Sequence, residues 1–109
     1  MNIGVTLAAV FQVLGEPNRF ALVEALRDGE RPVGELVEAV GLSQPAVSKH
    51  LRVLKDAGLV GVRPDGQRRL YRVRPEPLAE VDAWLESYRR LWETHLDRLE
   101  AHLDRRRAR

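Results

Sequence analysis

The sequence contains no cysteine. This absence excludes disulfide bonds, thiolate nucleophiles and the thiolate metal sites on which many small regulators depend. It is compatible with the reducing environment of the cytoplasm, which is the location we expect for this protein.

Long apolar segments are lacking as well. The apolar stretch at residues 3–14 is shorter than the 18 or so residues that a membrane span needs. It also lacks the preceding basic residues and the following cleavage site of a secretory signal. We therefore predict a buried amphipathic helix here and no membrane partner. A length of 109 residues suits a single domain with one modest core, so we predict one domain over 1–109.

Basic residues are concentrated in the middle of the chain. Residues 41–75 carry eight Lys and Arg against two acids, a net charge of +6. Residues 1–40 carry three Arg against six acids, a net charge of −3, and residues 76–109 carry seven Arg against eight acids, a net charge of −1. A surface that binds a polyanion requires such a cluster, although a solvated face has the same composition.

The apolar periodicity and the turn residues predict a mainly α fold with a small β-hairpin. Asn18 and Ser43 are the expected N-caps of the second and fourth helices, and Gly29, Gly41 and Gly58 the expected stops. The predicted order is helix 4–14, helix 18–28, helix 33–40, helix 44–57, strand 60–63, strand 69–74 and helix 78–104.

The third and fourth helices, with the three-residue turn between them, have the layout of a helix-turn-helix over about 33–57. Val47, Leu51 and Leu54 share one stripe of the fourth helix and should face the core. The opposite, outer side and the start of the helix carry small, polar and basic residues. The polar and basic groups can contact phosphates or base edges. The predicted DNA contacts of this unit are Ser43, Gln44, Pro45, Ser48, Lys49 and Arg52. The alternative is an ordinary amphipathic helix with a solvated face.

The hairpin at about 60–74 follows at once and is rich in arginine. Alternation predicts that Tyr71 and Val73 face the core and that Arg72 faces away from it. Arg68 and Arg69 lie near the tip, from which an arginine can enter a narrow minor groove. We include both in the predicted DNA-binding set. Arginines on an edge strand can also serve only to prevent aggregation.

Four segments carry a resemblance to a known family, namely residues 14–19, 43–51, 54–60 and 69–73. In this order and spacing they resemble the ArsR-type winged helix-turn-helix repressors, over about residues 7–104. The resemblance implies a homodimer that binds an inverted-repeat operator in double-stranded DNA, with the fourth helix in the major groove and the hairpin as the wing. Metal-sensing members carry a cysteine pair about where residues 31–36 stand here. The chain therefore resembles a cysteine-free, metal-independent branch.

The last helix is longer than a small domain can cover, since about 26 residues reach roughly 39 Å. Apolar residues recur along it at steps of three and four, which favours packing against a second copy of the chain. A helix folded back on its own core is the alternative. The resemblance implies that the first and last helices form the dimer. The predicted interface comprises Phe11, Leu14, Trp84, Leu85, Tyr88, Trp92 and Leu99.

His95 and His102 lie on the same seam of this helix and raise the question of zinc, which some relatives in the resembled family bind between these helices. They stand two turns apart, about 10.5 Å along the axis, so they cannot bind one ion from the same chain. We predict no metal site and no cofactor, while a zinc site shared between subunits stays open. His50, on the flank of the fourth helix, is expected to pack or to contact a phosphate.

No enzyme is predicted, because the sequence has no nucleophile–base pair in a known setting, no glycine-rich phosphate loop and no close acidic pair in an apolar context. Two other functions remain open. One is an effector- or zinc-responsive repressor of the same fold, whose effector the sequence does not identify. The other is a winged-helix adaptor that binds proteins and not DNA. A basic wing argues against the adaptor, which does not need one.

Overall fold

A computed structural model of the chain describes residues 3–107, with side chains from Leu7 onward. Within that range the fold is mainly helical with one small sheet, which confirms the predicted fold class. The elements in chain order are α1 (Ile3–Leu14), α2 (Pro17–Ala25), β1 (Arg31–Pro32), α3 (Val33–Val40), α4 (Gln44–Asp56), β2 (Val60–Asp65), β3 (Arg68–Val73) and α5 (Pro75–Arg107). These residues form two compact units, which divide between Leu78 and Ala79.

The hydrophobic core lies in the first unit, where α2, α3 and α4 pack on one another and the sheet packs against α3 and α4. As predicted, the apolar stripe of α4 faces inward. The buried hydrophobic side chains are Leu7, Val10, Leu22, Leu26, Leu36, Val47, Leu51, Leu54, Leu59, Val60 and Leu70. Burial of so many aliphatic side chains stabilises the unit, at roughly 25 cal/mol for each Å² of apolar surface removed from water.

The helix ends show one confirmed and one wrong cap. The Ser43 hydroxyl accepts a hydrogen bond from the Ala46 backbone N–H at 3.3 Å, as an N-cap should. The cap of α2 is not Asn18 but Glu16, whose carboxylate accepts from the Arg19 backbone N–H at 2.8 Å. Asn18 lies inside the first turn, because α2 begins one residue earlier, at Pro17. A proline is well tolerated at the first helical position, where its missing N–H has no intrahelical partner.

The α2 C-terminus also differs from the prediction, since the helix ends at Ala25 with Leu26 as its C-cap. Gly29 instead takes φ +151° in the connection that leads to β1. At the end of α3 the prediction is confirmed, because Gly41 is the C-cap in the left-handed conformation, with φ +70°. Glycine adopts that conformation without steric cost, whereas a side chain there would be strained.

The sheet contains three antiparallel strands in the order β1–β3–β2. The two-residue strand β1 was not predicted; Arg31 pairs with Tyr71 and Pro32 with Leu70. On β3, Arg72 is exposed as predicted, but the most buried residue of the strand lies on the same side as Arg72. Leu70 is the buried residue of the strand at 8% exposure, while Tyr71 and Val73 are half-buried.

The last helix α5 begins at Pro75, three residues before the predicted start, and runs to Arg107. Its 33 residues correspond to about 50 Å. Pro75 and Pro77 were expected to precede the helix, but both stand in its first turn, where a proline costs no hydrogen bond. None of its side chains is buried.

Candidate nucleic-acid interface

Helix α4 presents a continuous exposed face opposite its buried stripe. With 3.6 residues per turn, Val47, Leu51 and Leu54 fix which side of the helix packs on the core, and the residues on the opposite side point outward. Each of the six residues predicted to contact DNA in this unit is exposed, namely Ser43, Gln44, Pro45, Ser48, Lys49 and Arg52.

The basic side chains of α4 and of the hairpin differ in whether they form an ion pair. Among the ion pairs of the described residues, none involves Lys49, Arg52 or Arg69. Arg68, by contrast, donates a hydrogen bond to the Asp65 carboxylate at 2.9 Å. Lys49, Arg52 and Arg69 can therefore bind a phosphate without first breaking a salt bridge, whereas Arg68 has to leave Asp65.

A two-residue turn sets the position of the hairpin arginines. Asp65 pairs with Arg68 in the last register position, so Gly66 and Gln67 form the turn, and Gly66 takes φ +64°. Such a positive φ is what the tight hairpin turns require, and an Asp-Gly sequence supplies it. Arg68 and Arg69 follow the turn directly, and both are exposed.

A groove brings the start of α4 and the hairpin tip together. It has a volume of about 740 Å³, and its walls come from α3, α4 and the hairpin. Four predicted DNA-binding residues line it: Gln44, Ser48, Arg68 and Arg69. A smaller groove of about 230 Å³ places Arg52 beside Ser48 and Arg69. Ser43, Pro45 and Lys49 line neither groove.

Two acidic residues in the larger groove were missed by the sequence analysis. Glu35 and Glu38 of α3 line the same groove as Arg68 and Arg69. A carboxylate repels phosphates, but it can accept a hydrogen bond from the amino group of cytosine. The helical spacing of the two residues was visible in the sequence, but their position opposite the wing depends on the packing of α3 beside the hairpin.

The base of the hairpin is fixed by an ion-pair cluster on the sheet. Arg63 of β2 donates two hydrogen bonds to the Glu30 carboxylate, at 2.7 and 2.9 Å. The Arg63 hydrogen bonds hold the pKa of Glu30 below its usual value, against a smaller opposing effect of burial. The Arg72 guanidinium contributes to the same lowering and lies over Gly61, where a Cβ would come within 3.0 Å of it. This cluster ties β2 to the segment that leads into β1.

The residues predicted to form a dimer lie mostly on exposed surface. Phe11 of α1 is 44% exposed, and Leu14 is half-buried. On α5 the values are 41% for Trp84, 47% for Tyr88, 46% for Trp92 and 54% for Leu99, while Leu85 is half-buried. Further exposed apolar residues of α5 are Leu91, Leu96 and Leu103. The Trp84 and Tyr88 rings pack on each other with their centroids 5.0 Å apart.

Two other features bear on the class of protein. Within the described range, the His, Asp and Glu side chains form no group of three or more that could hold a metal ion. Among the helices between Ile3 and Arg107, none combines the length and the apolar character of a membrane span.

A helical core with a helix-turn-helix, followed by a basic hairpin, defines a winged helix-turn-helix, a fold in which the second helix and the hairpin contact DNA. Comparison with known proteins identifies the family. Residues 16–62 match the sequence model of the family described as "Bacterial regulatory protein, arsR family". The HTH-type transcriptional regulator Rv2034 of Mycobacterium tuberculosis is 45% identical over 78 residues, which are 72% of this chain and 73% of that protein.

Two further relatives agree. A probable mercury resistance operon repressor of Streptomyces lividans is 41% identical over 76 residues, which cover 70% of this chain and 61% of that protein. The crystal structure of the ArsR family transcriptional regulator RHA00566 superposes with a TM-score of 0.71 at 32% identity, covering 83% of this chain and 93% of that one. The chain belongs to the ArsR family of bacterial regulatory proteins, and it is a DNA-binding transcriptional regulator.

Proposed function

We propose that the protein is a homodimeric repressor that binds an inverted-repeat operator, with α4 in the major groove and the β2–β3 hairpin as a wing against the adjacent minor groove. The observation that carries the proposal is the exposed face of α4. Lys49 and Arg52 stand on it without an ion pair within the described chain. The grooves beside α4 place Arg69 next to Ser48 and Arg52. Such a surface can bind phosphates and base edges together.

The proposed partner subunit is a second copy of the chain, bound through α1 and α5. In support, α5 exposes Trp84, Tyr88, Trp92 and Leu99 and buries none of its own residues. Tryptophan and tyrosine are enriched in interface cores, because they bury a large area with few rotatable bonds. A symmetric dimer presents two α4 helices to DNA, so the operator is expected to be an inverted repeat. A bacterial regulator that binds chromosomal DNA is expected in the cytoplasm.

A repressor that responds to an effector is the second candidate, favoured by one of the relatives, which is named for mercury resistance. The chain has no cysteine, so a thiolate site for a soft metal is not available to it. Any metal or other effector of the proposed repressor would therefore bind through groups other than thiolates, such as imidazoles or carboxylates.

The experiment that tests the proposal is selection of duplexes from a randomised DNA pool, followed by sequencing. We expect enrichment of an inverted repeat with half-sites about 10–11 base pairs apart, one helical turn. If a folded dimer enriches no sequence even with added zinc, the operator proposal is wrong and the adaptor function is favoured.

Charge reversal on α4 tests the assignment of the DNA-contacting helix. We expect Arg52→Glu or Lys49→Glu to weaken binding to the selected operator by about 100-fold, since a charge-assisted hydrogen bond is lost and a repulsion is added. Arg27→Glu, which makes the same charge change at the end of α2, is the control and should bind nearly as well as the wild type. Sedimentation equilibrium should show all three variants as dimers. Full affinity in the α4 variants would contradict the assignment.

A further inference from the structure

The Glu16 carboxylate contacts two helices at once. Its Oε2 accepts a hydrogen bond from the Arg19 backbone N–H at 2.8 Å, and its Oε1 accepts from the Asn18 side-chain amide at 3.2 Å. The same Oε2 lies 3.7 Å from Nδ1 of His50 on α4. The cap of α2 is therefore also a contact to the helix that carries Lys49 and Arg52.

The position of Glu16 is itself well fixed. The Arg19 side chain donates from Nε to the Val13 carbonyl at 2.7 Å, which joins the first turn of α2 to the last turn of α1. Glu16 and His50 are both half-buried, with side-chain exposures of 29% and 21%. The contact from Glu16 to α4 thus starts from a residue whose position is fixed, and it is partly shielded from water.

His50 occupies one flank of α4, and the hairpin lies along the other. At 100° per residue, His50 is about 60° from Val47 on one side, and Ser48 is about 100° from it on the other side. Ser48 shares both grooves with the hairpin residue Arg69. The helix is therefore bounded by Glu16 on one flank and by the wing on the other.

Small rotations of α4 matter for DNA contacts. The helix surface lies about 5–6 Å from the axis, so a rotation of about 10° displaces surface atoms by about 1 Å. Hydrogen bonds to base edges and phosphates tolerate only a few tenths of an ångström. A side contact that limits this rotation keeps Lys49 and Arg52 in register with the groove.

We propose that Glu16 is a positioning residue for DNA binding: its carboxylate holds α4 in its DNA-binding orientation through His50, in addition to capping α2. The inference rests on the proposed role of α4 in the operator complex. The contact is strongest when the imidazole is protonated, since it then joins opposite charges.

The charge state of Glu16 favours this role. Burial raises the pKa of its carboxyl. The hydrogen bonds from Arg19 and Asn18 and the charges of His50 and Arg19 together lower that pKa by a larger amount, so that the net shift is downward. The carboxylate is therefore ionised at neutral pH. His50 and Arg19 are the charged side chains that act on it within the described chain.

The variant Glu16→Asp separates the two roles. Aspartate is a preferred N-cap, so α2 and the melting temperature should be retained. It is one methylene shorter, so an aspartate that still caps α2 does not reach His50. We expect operator affinity at pH 6 to decrease about two- to fivefold, the effect of a partly exposed ion pair, and the difference to disappear at pH 8. His50→Gln, which leaves the cap untouched, should behave alike, and the double variant should bind no worse than either single one.

Glu24→Gln is the matched control, because Glu24 lies on α2 and pairs with Arg27 but not with α4. It should keep the wild-type pH profile. A wild-type profile in Glu16→Asp would overturn the proposal, as would independent, additive losses in the double variant. In that case His50 contacts phosphate directly, or Glu16 only caps α2.

A measurement without DNA separates this inference from the proposed operator. In the free protein at pH 6, hydrogen exchange of the α4 amides should be faster in Glu16→Asp and in His50→Gln than in the wild type, while the α2 amides of His50→Gln stay unchanged. Unchanged exchange in α4 would contradict the positioning role even where an operator is bound. A wild-type chain that selects no operator contradicts the proposed function alone.

Discussion

The two units of the molecule bury their apolar side chains very differently. Every buried hydrophobic side chain of the described chain lies before Leu78, and α5 contains none. Yet α5 carries both tryptophans of the sequence, at positions 84 and 92. The comparison shows that the first unit has a buried core, whereas the apolar side chains of α5 are exposed or half-buried.

A charge on the apolar seam of α5 should have the largest effect. Trp92→Glu introduces a carboxylate at position 92. The Trp92 side chain is 46% exposed in the single chain and is buried in the proposed dimer. Burying an unpaired charge is costly, so we expect monomers. Operator affinity should decrease by about 10²–10⁴-fold, because the two half-sites are no longer bound together. Sedimentation equilibrium and operator titration measure both effects.

The matched control is Thr94→Glu, which adds the same charge about 200° around the helix from Trp92. It should remain dimeric. A Trp92→Glu protein that is still a dimer would show that the interface lies elsewhere.

The next largest effect is expected on the free energy of unfolding, when the same leucine-to-alanine change is made in each of the two units. In the monomeric Trp92→Glu background, Leu54→Ala should lower the free energy of unfolding by about 2–5 kcal/mol, since Leu54 is completely buried. Leu96→Ala, at a position 59% exposed, should change it by less than about 0.5 kcal/mol. Urea denaturation measures both. A similar loss in the two variants would mean that α5 has a core of its own.

The wing should contribute a smaller, salt-dependent share of binding. Replacing both Arg68 and Arg69 with alanine should reduce the slope of log affinity against log salt by up to about two, one unit for each phosphate contact. Of the single variants, Arg69→Ala should lose more, since Arg68 must give up its pair with Asp65. Arg105 and Arg106 in the last turn of α5, changed together to alanine, provide a control with the same net charge. An unchanged slope in the wing variant would exclude phosphate contacts there.

The smallest effect concerns acid stability. Because the folded-state pKa of Glu30 is lowered, its pair with Arg63 stabilises the fold above the unfolded-state pKa. This stabilisation is lost as the pH falls through the folded-state pKa. Glu30→Gln should therefore melt slightly below the wild type at pH 7, and the difference should close in acid. A difference between Glu30→Gln and the wild type that stays constant into acid would contradict the pair's contribution.

Local patterns predicted those elements whose signals are local. The turn between α3 and α4 follows from Gly41 and Ser43, which act through their own backbone conformation and hydrogen bonding. The outward residues of α4 follow from one buried stripe. These signals need no knowledge of the rest of the chain, so the exposed residues of α4 were predictable from sequence.

Features that depend on tertiary contacts were not predictable in the same way. The strand β1 is only two residues long and exists because β3 offers it hydrogen-bond partners. Leu70 is buried although it lies on the side of β3 opposite Tyr71, an outcome that alternation alone does not specify. Asn18 and not Glu16 was predicted to cap α2, because asparagine has the higher N-cap propensity. Which residue caps a helix depends, however, on where the helix begins. The contact of Glu16 with His50 joins residues 34 positions apart.

The two-residue turn at the hairpin tip makes the length of the hairpin, and not only its residue identities, a feature on which the proposed DNA contacts depend. Because Asp65 stands opposite Arg68, each arginine of β3 has a fixed side of the ribbon. Because Leu70 keeps one side of β3 buried and β3 is paired on both edges, an inserted residue should lengthen the loop and leave the sides of Arg68 and Arg69 unchanged. A single-codon insertion at this exposed turn, where such changes are tolerated best, would therefore change how far the proposed wing reaches and not the sides of its arginines.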